Sequence, residues 1–287
     1  MPFDILRRLL KPLRDAVPTS RYPLDGPDLA PATRGLPEVE SARCGDRAEC
    51  ASVCATACPT RAIRASATAW SIDSGRCTFC GSCVIACPMA ALTMGGRVEL
   101  AAAERSALVC GSEVSDSTRA LEADRQRARL HARFGRSVHV RHLDSGSCNG
   151  CDWEINALLN PYHDIQRLGI DFVASPRHAD VLLLTGAMTR NLEEAARRTY
   201  EAMPEPRLVV AIGACAISGG VFAGSPVVRA GESDILPIDV FVPGCPPRPE
   251  ALIQGILLAA DRRRPGGAAP ASPDALRPSD APASVAR

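Results

Sequence analysis

From Ser137 onward, short apolar runs alternate with stretches in which apolar positions recur every three or four residues. Val138–Leu143, Asp171–Ala174, Asp180–Thr185, Arg207–Ile212 and Ile238–Val242 predict strands; Asp152–Leu159, Leu192–Met203 and Pro249–Asp261 predict helices. Near-continuous apolar strands separated by helices imply burial on both faces, hence a mostly parallel, doubly wound sheet. Between Ser117 and Phe134 the chain is rich in Leu, Ala, Arg, Glu and Gln, which predicts a linking helix ended at Gly135. Residues 41–100 lack a long period and fall into two similar halves of short strands and turns. In front of them, 15–40 carries Pro18, Pro23, Pro27, Pro31 and Pro37 and reads as an extended connection without a core of its own. Apolar positions 5, 6, 9, 10 and 13 share one helical face, with Arg7, Arg8, Lys11 and Arg14 around the other. That face suits a membrane surface, a partner or the chain's own fold. The pattern divides the chain into an amphipathic segment and linker (1–40), a small domain (41–103), a linking helix (104–136), an α/β domain (137–262) and a disordered tail (263–287).

Composition narrows the classes. With 287 residues, 46% of them apolar, two modest cores are feasible. A net charge of +1 provides no field for nucleic acid, and the glycines form no phosphate-binding fingerprint. Thirteen cysteines, an odd number, fit reduced thiols holding metal in the cytoplasm better than a disulfide scaffold. No window approaches the roughly eighteen apolar residues of a membrane span.

Cys77, Cys80, Cys83 and Cys87, the last followed by Pro88, have the spacing that wraps a cubane iron–sulfur cluster. Tetrahedral zinc usually takes two separated pairs instead. Cys44, Cys50, Cys54 and Cys58, followed by Pro59, form a stretched version of the same run. In two-cluster ferredoxins the fourth cysteine of each run ligates the other run's cluster. One cluster is therefore expected on Cys44, Cys50, Cys54 and Cys87, and a second on Cys77, Cys80, Cys83 and Cys58. Cys110 is the spare thiol that can replace Cys44; its apolar neighbours favour a buried, inert role.

The remaining cysteines are Cys148, Cys151, Cys215 and Cys245. Each follows a predicted strand, and open α/β sheets gather ligand sites beyond the carboxyl ends of their strands. Gly146, Gly150, Gly213 and Gly244 beside them permit close approach of a bulky cofactor. Four converging thiols next to a ferredoxin-like module point to a third [4Fe–4S] cluster.

The segments Gly146–Ile155, Ile212–Ala216 and Val242–Pro249 resemble the ligand motifs of energy-converting, membrane-associated [NiFe]-hydrogenase small subunits, a family homologous to the cluster N2 subunit of respiratory complex I. Cys-x-x-Cys at 148–151, rather than adjacent cysteines, favours the hydrogenase side. The likeness spans about residues 130–262. Thr19–Pro23, the two cysteine runs and Gly75–Gly81 are similar to the two-cluster ferredoxin subunit of formate hydrogenlyase and complex I. The lengthened run from Cys44 to Cys54 departs from that pattern. The chain thus looks like a fusion of two neighbouring subunits.

The resemblance implies a flavodoxin-like α/β domain preceded by a two-cluster ferredoxin-like α+β domain. It also implies an electron-transfer subunit with three [4Fe–4S] clusters and no catalytic residue of its own. The catalytic centre is expected on a hydrogenase-type large subunit, within a membrane-associated complex peripheral to the cytoplasmic membrane. A formate dehydrogenase or a ferredoxin is the expected redox partner. The alternatives are a complex I-like quinone-reducing module without NiFe, and a zinc-stabilised scaffold or assembly protein. Glu154, three residues after Cys151, faces the cluster, a partner or only its own helix dipole. Asp152 is expected to cap that helix, Arg248 either to place a positive charge near the cluster and raise its potential or to meet solvent, and His139 and His142 to serve no ligand role.

Overall fold

The computed structural model describes residues 18–30, 32–44, 47–66, 69–111, 137–229 and 235–262. The expected helices over 5–13 and 117–134 and the expected tail lie outside them. Among the described residues, five parallel strands build the larger sheet: β6 (Val138–Asp144), β7 (Ile170–Phe172), β8 (Val181–Thr185), β9 (Leu208–Ile212) and β10 (Val240–Val242). Their order is β10-β9-β8-β6-β7, so β6 and β8 are neighbours although β7 intervenes in the chain.

Burial explains the apolar runs. Every residue of β8, β9 and β10 is buried, because both faces of the sheet are covered. On one face, Val140, Val181, Leu183, Val210 and Val242 pack against α3 (Gly150–Ala157) and α6 (Pro249–Arg262) through Ile155, Leu252 and Ile256. On the other, Leu182, Leu184 and Val209 meet Ala196 of α4 (Arg190–Glu201) and Met203. The short helix α5 (Gly213–Ser218) follows β9 directly.

The small domain is held by two antiparallel sheets. β1 (Pro37–Val39) pairs with β4 (Leu92–Met94), and β2 (Ile63–Ala65), β3 (Trp70–Asp73) and β5 (Val109–Gly111) form the other sheet. Helices α1 (Arg47–Thr56) and α2 (Ser82–Ala86) carry Cys50, Cys54 and Cys83 over a core of Leu36, Ile63, Trp70, Ile72 and Leu92. β1 and β5 both fall outside 41–103, so the small sheets draw strands from the expected connection and from the expected linking segment.

That connection is a strap with a place in each core. Tyr22 is buried with Ile165 and Ile170 of the α/β part, and its hydroxyl donates to Glu99 Oε1 at 2.8 Å. Thr19 Oγ1 donates to the Pro161 carbonyl (2.8 Å), and Arg167 donates to the Tyr22 carbonyl. Leu36 packs in the small domain. The apolar residues between the prolines are the ones that anchor it, Tyr22 in the larger core and Leu36 in the smaller.

The two parts share an interface. Leu108 packs with Ala211, Ala216, Ile217 and Phe241, and Ala102 forms a backbone bridge with Phe241 beside β10. Ser218 Oγ donates to the Gly75 carbonyl at 3.0 Å. A Cβ at Gly75 would lie 2.8 Å from Ile217 Cγ2, so glycine is what lets the two backbones approach this closely.

Candidate functional site

The structure brings Cys44, Cys50, Cys54 and Cys87 to one cavity, whose walls include Trp70 and Leu92. The first three lie on or just before α1. Cys87 arrives from the other half, because the turn after α2 leads into β4, and β4 pairs with β1 beside the cavity. Burial pushes the Cys50 thiol up, and the neighbouring thiols of Cys87, Cys44 and Cys54 push it further. Burial acts to raise Cys87 too, but the N–H groups of Ala91, Met89 and Leu92 outweigh it and hold the thiol low.

Cys77, Cys80, Cys83 and Cys58 form the second group. Burial, opposed by the Phe79 N–H and aided by Cys58, Cys83 and Cys80, pushes Cys77 up to about 12. Burial, Cys58 and Cys80 push Cys83 up to about 11. The two halves match in detail. Ala62 N–H donates to Cys58 Sγ at 3.2 Å and Ala91 N–H to Cys87 Sγ at 3.3 Å, each four residues after its cysteine. Such donors favour thiolate, the form that binds iron.

In the metal-free chain these environments order the reactivity, because the thiolate is the nucleophile. Cys80 is exposed, and the Ser82 hydroxyl with other donors overcomes desolvation to lower it. Within the second group, brief alkylation at mildly alkaline pH, read by peptide mass spectrometry, is expected to label Cys80 before Cys83 and Cys77. Equal rates would contradict this geometry.

The third group stands at the carboxyl ends of β6, β9 and β10. Cys151 is pushed up by burial and by Cys215, Cys245 and Cys148, so all four thiols are neighbours. Gly213 adopts φ 85°, and a Cβ there would lie 2.9 Å from Cys151 Sγ and 3.4 Å from the Gly244 carbonyl. Ala214 N–H donates to that same carbonyl at 2.9 Å, tying the Cys215 turn to the Cys245 turn.

The Cys148–Cys151 loop is braced by a polar network. Asp144 Oδ1 accepts from the N–H groups of Gly146 (2.8 Å) and Ser147 (2.7 Å). Asp152 accepts from Ser147 Oγ (2.8 Å) and Thr185 Oγ1 (2.9 Å) and pairs with His142 Nε2 at 3.1 Å. Asp152 therefore makes no side-chain cap; it ties the start of α3 to β6 and β8. Glu154 is half-buried and raised by desolvation, against the pull of Arg248. Arg248 pairs with Glu250 at 3.4 Å rather than facing solvent alone. The partners of Asp152 come from the turn, β6 and β8, which local sequence spacing does not reveal.

The second and third groups face each other. Cys245 is raised by desolvation, by Cys148 and then by Cys80 of the small domain. Cys80, Phe79 and Arg34 line one side of the cleft between the parts, and Cys245, Pro246 and Arg248 the other. Among the described residues no group of three or more His, Cys, Asp or Glu side chains is arranged to hold a single metal ion. A cubane asks for a wider ring, since each thiolate binds a different iron. Cys110 lies on β5 in the small core, its Sγ toward the Leu108 carbonyl. Trp70, not singled out by spacing, reaches the first cavity because β3 pairs it with Ala65, another wall residue.

Residues 148–259 match the family model described as NADH ubiquinone oxidoreductase, 20 kDa subunit, and residues 70–93 match a 4Fe-4S binding domain. The chain is 52% identical over 135 residues to the probable membrane-bound hydrogenase subunit mbhJ of Pyrococcus furiosus, covering 47% of this chain and 81% of that one. It is 45% identical over 133 residues to formate hydrogenlyase subunit 7 of Escherichia coli, covering 46% and 52%. An NADH-quinone oxidoreductase subunit of Citrifermentans bemidjiense is 49% identical over 112 residues, covering 39% and 65%. The chain thus spans most of the first relative and about half to two thirds of the others.

Proposed function

The chain belongs to the family of NADH ubiquinone oxidoreductase 20 kDa subunits, and from that premise we propose that it carries electrons inside a membrane-associated [NiFe]-hydrogenase complex. The reading places three [4Fe–4S] clusters on the chain: the first on Cys44, Cys50, Cys54 and Cys87, the second on Cys77, Cys80, Cys83 and Cys58, and the third on Cys148, Cys151, Cys215 and Cys245. When bound, such clusters supply one-electron carriers whose potentials follow charge, burial and hydrogen bonds to sulfur. The protein's work is to hold the thiolates at fixed separation, to donate N–H groups to them and to keep water away.

One observation carries the proposal. Cys80 and Cys245 are neighbours across the cleft, so the second and third sites adjoin, while the first cavity is lined by residues between Val39 and Leu92 of the small domain and its connection. A series of that order suits transfer between a catalytic centre on a hydrogenase-type large subunit, next to the α/β part, and a redox partner at the small domain. A formate dehydrogenase or a ferredoxin fits the latter role. The strand order supports reading the α/β part as flavodoxin-like. No helix among the described residues is long and apolar enough to cross a membrane, and attachment through partner subunits is the form of association proposed.

Anaerobically purified protein is expected to hold about twelve irons and as much sulfide per chain. Stoichiometric zinc in colourless protein would instead support the scaffold reading. A quinone-linked module without NiFe is favoured by the likeness to the NADH-quinone oxidoreductase relative. The co-purifying large subunit decides between them: paired Cys-x-x-Cys motifs mean NiFe, and their absence overturns the hydrogenase assignment.

A further inference from the structure

Trp70 has a polar edge that the cysteine assignment leaves unused. The residue opens β3, is 5% exposed, and packs in the same core cluster as Cys54. Its side chain lines the cavity shared by Cys44, Cys50, Cys54 and Cys87. The indole Nε1 is buried there with no hydrogen-bond partner. It is nevertheless close enough to Cys54 to pull that thiol down against the effect of burial. An indole nitrogen can only donate, and a buried tryptophan N–H ordinarily finds an acceptor. A residue serving only to fill the core would satisfy that N–H on a backbone carbonyl or in solvent. Trp153, the chain's other tryptophan, is 74% exposed and so has no such constraint.

We propose that Trp70 is a positioning residue for the first site, its Nε1–H donating to the Cys54 thiolate once that thiolate holds iron. This rests on reading the first site as a [4Fe–4S] centre. Donation to a ligand sulfur draws electron density from the cluster and favours its reduced, more negative state, so it raises the potential. No tryptophan stands at the second site, where the Phe79 and Ala62 N–H groups donate to Cys77 and Cys58. The indole therefore sets the first centre apart from the second, at the end of the series where electrons enter or leave.

Trp70→Phe keeps an aromatic ring and removes the donor. In a redox titration of the full chain followed by EPR, the first cluster is the one whose signal is absent in Cys50→Ser. At a fixed ambient potential its reduced-to-oxidised ratio is expected to fall about tenfold in Trp70→Phe, which corresponds to about 59 mV for a one-electron couple. The other two centres should not move. An unchanged first potential with about twelve irons retained overturns the proposal. Should Trp70→Phe lose that cluster, protein otherwise native but carrying Trp153→Phe and ¹⁵N-labelled tryptophan decides the matter. Coupling of the reduced first cluster to the ¹⁵N nucleus supports the hydrogen bond, and its absence overturns it. About eight irons in the unaltered protein would instead remove the three-cluster reading itself, so the two failures are distinct.

Discussion

Cys87→Ser is expected to abolish the first cluster and spare the second, and Cys58→Ser to do the reverse. Linear proximity would give the opposite result, since Cys87 follows Cys83 and Cys58 follows Cys54. The fold reverses this. The chain leaves α2 through Cys87 and Pro88 and enters β4, whose partner β1 borders the first cavity. The charge of Cys58 acts on Cys77 and Cys83, and that of Cys87 on Cys50. A serine oxygen is a harder, poorer ligand for iron than a thiolate. Each variant should therefore retain about eight irons per chain, with a different EPR signal missing. If Cys87→Ser silences the same centre as Cys77→Ser, the crossed assignment is wrong.

Gly213→Ala should cost the third cluster. The residue sits at φ 85°, where an L-residue is disfavoured by roughly 1–2 kcal/mol. Its new methyl would meet Cys151 Sγ at 2.9 Å. Cys151 is enclosed, and its loop is braced by Asp144, Asp152 and Thr185, so the sulfur cannot yield without leaving its ligating position. The expected product keeps both small-domain signals and loses the third. Its melting temperature should fall by roughly 2–8 °C for the backbone strain alone. A full third-site signal in this variant would mean that the Gly213 turn is not part of the cluster's cradle.

The α/β part was legible because its strands are buried on both sides. A run such as Val181–Thr185 is apolar nearly throughout, and its place is fixed by that fact alone. The ends shifted by one or two residues, as at Arg207 and Ile238, where partly covered residues flank the pairing. The grouping of Cys148 with Cys215 and Cys245 followed from the same strands, since their carboxyl ends must lie on one edge. Three things were hidden. Pro37–Val39 looked like linker because a three-residue strand carries no period, and its partner, Leu92–Met94, lies far along the chain. Tyr22 stood among prolines, and its burial depends on a pocket formed by Ile165 and Ile170. Trp70 carried no signal of its own, because nothing local tells which way an indole N–H points.

The contact of Leu108 with Ala211, Ile217 and Phe241 has a consequence for supply and assembly. Modules joined on one polypeptide meet at an effective concentration of roughly millimolar, whatever the dilution outside. Each copy of the α/β unit therefore arrives with a cysteine-rich companion already in register. No cell expressing this chain has to balance the synthesis of the two halves.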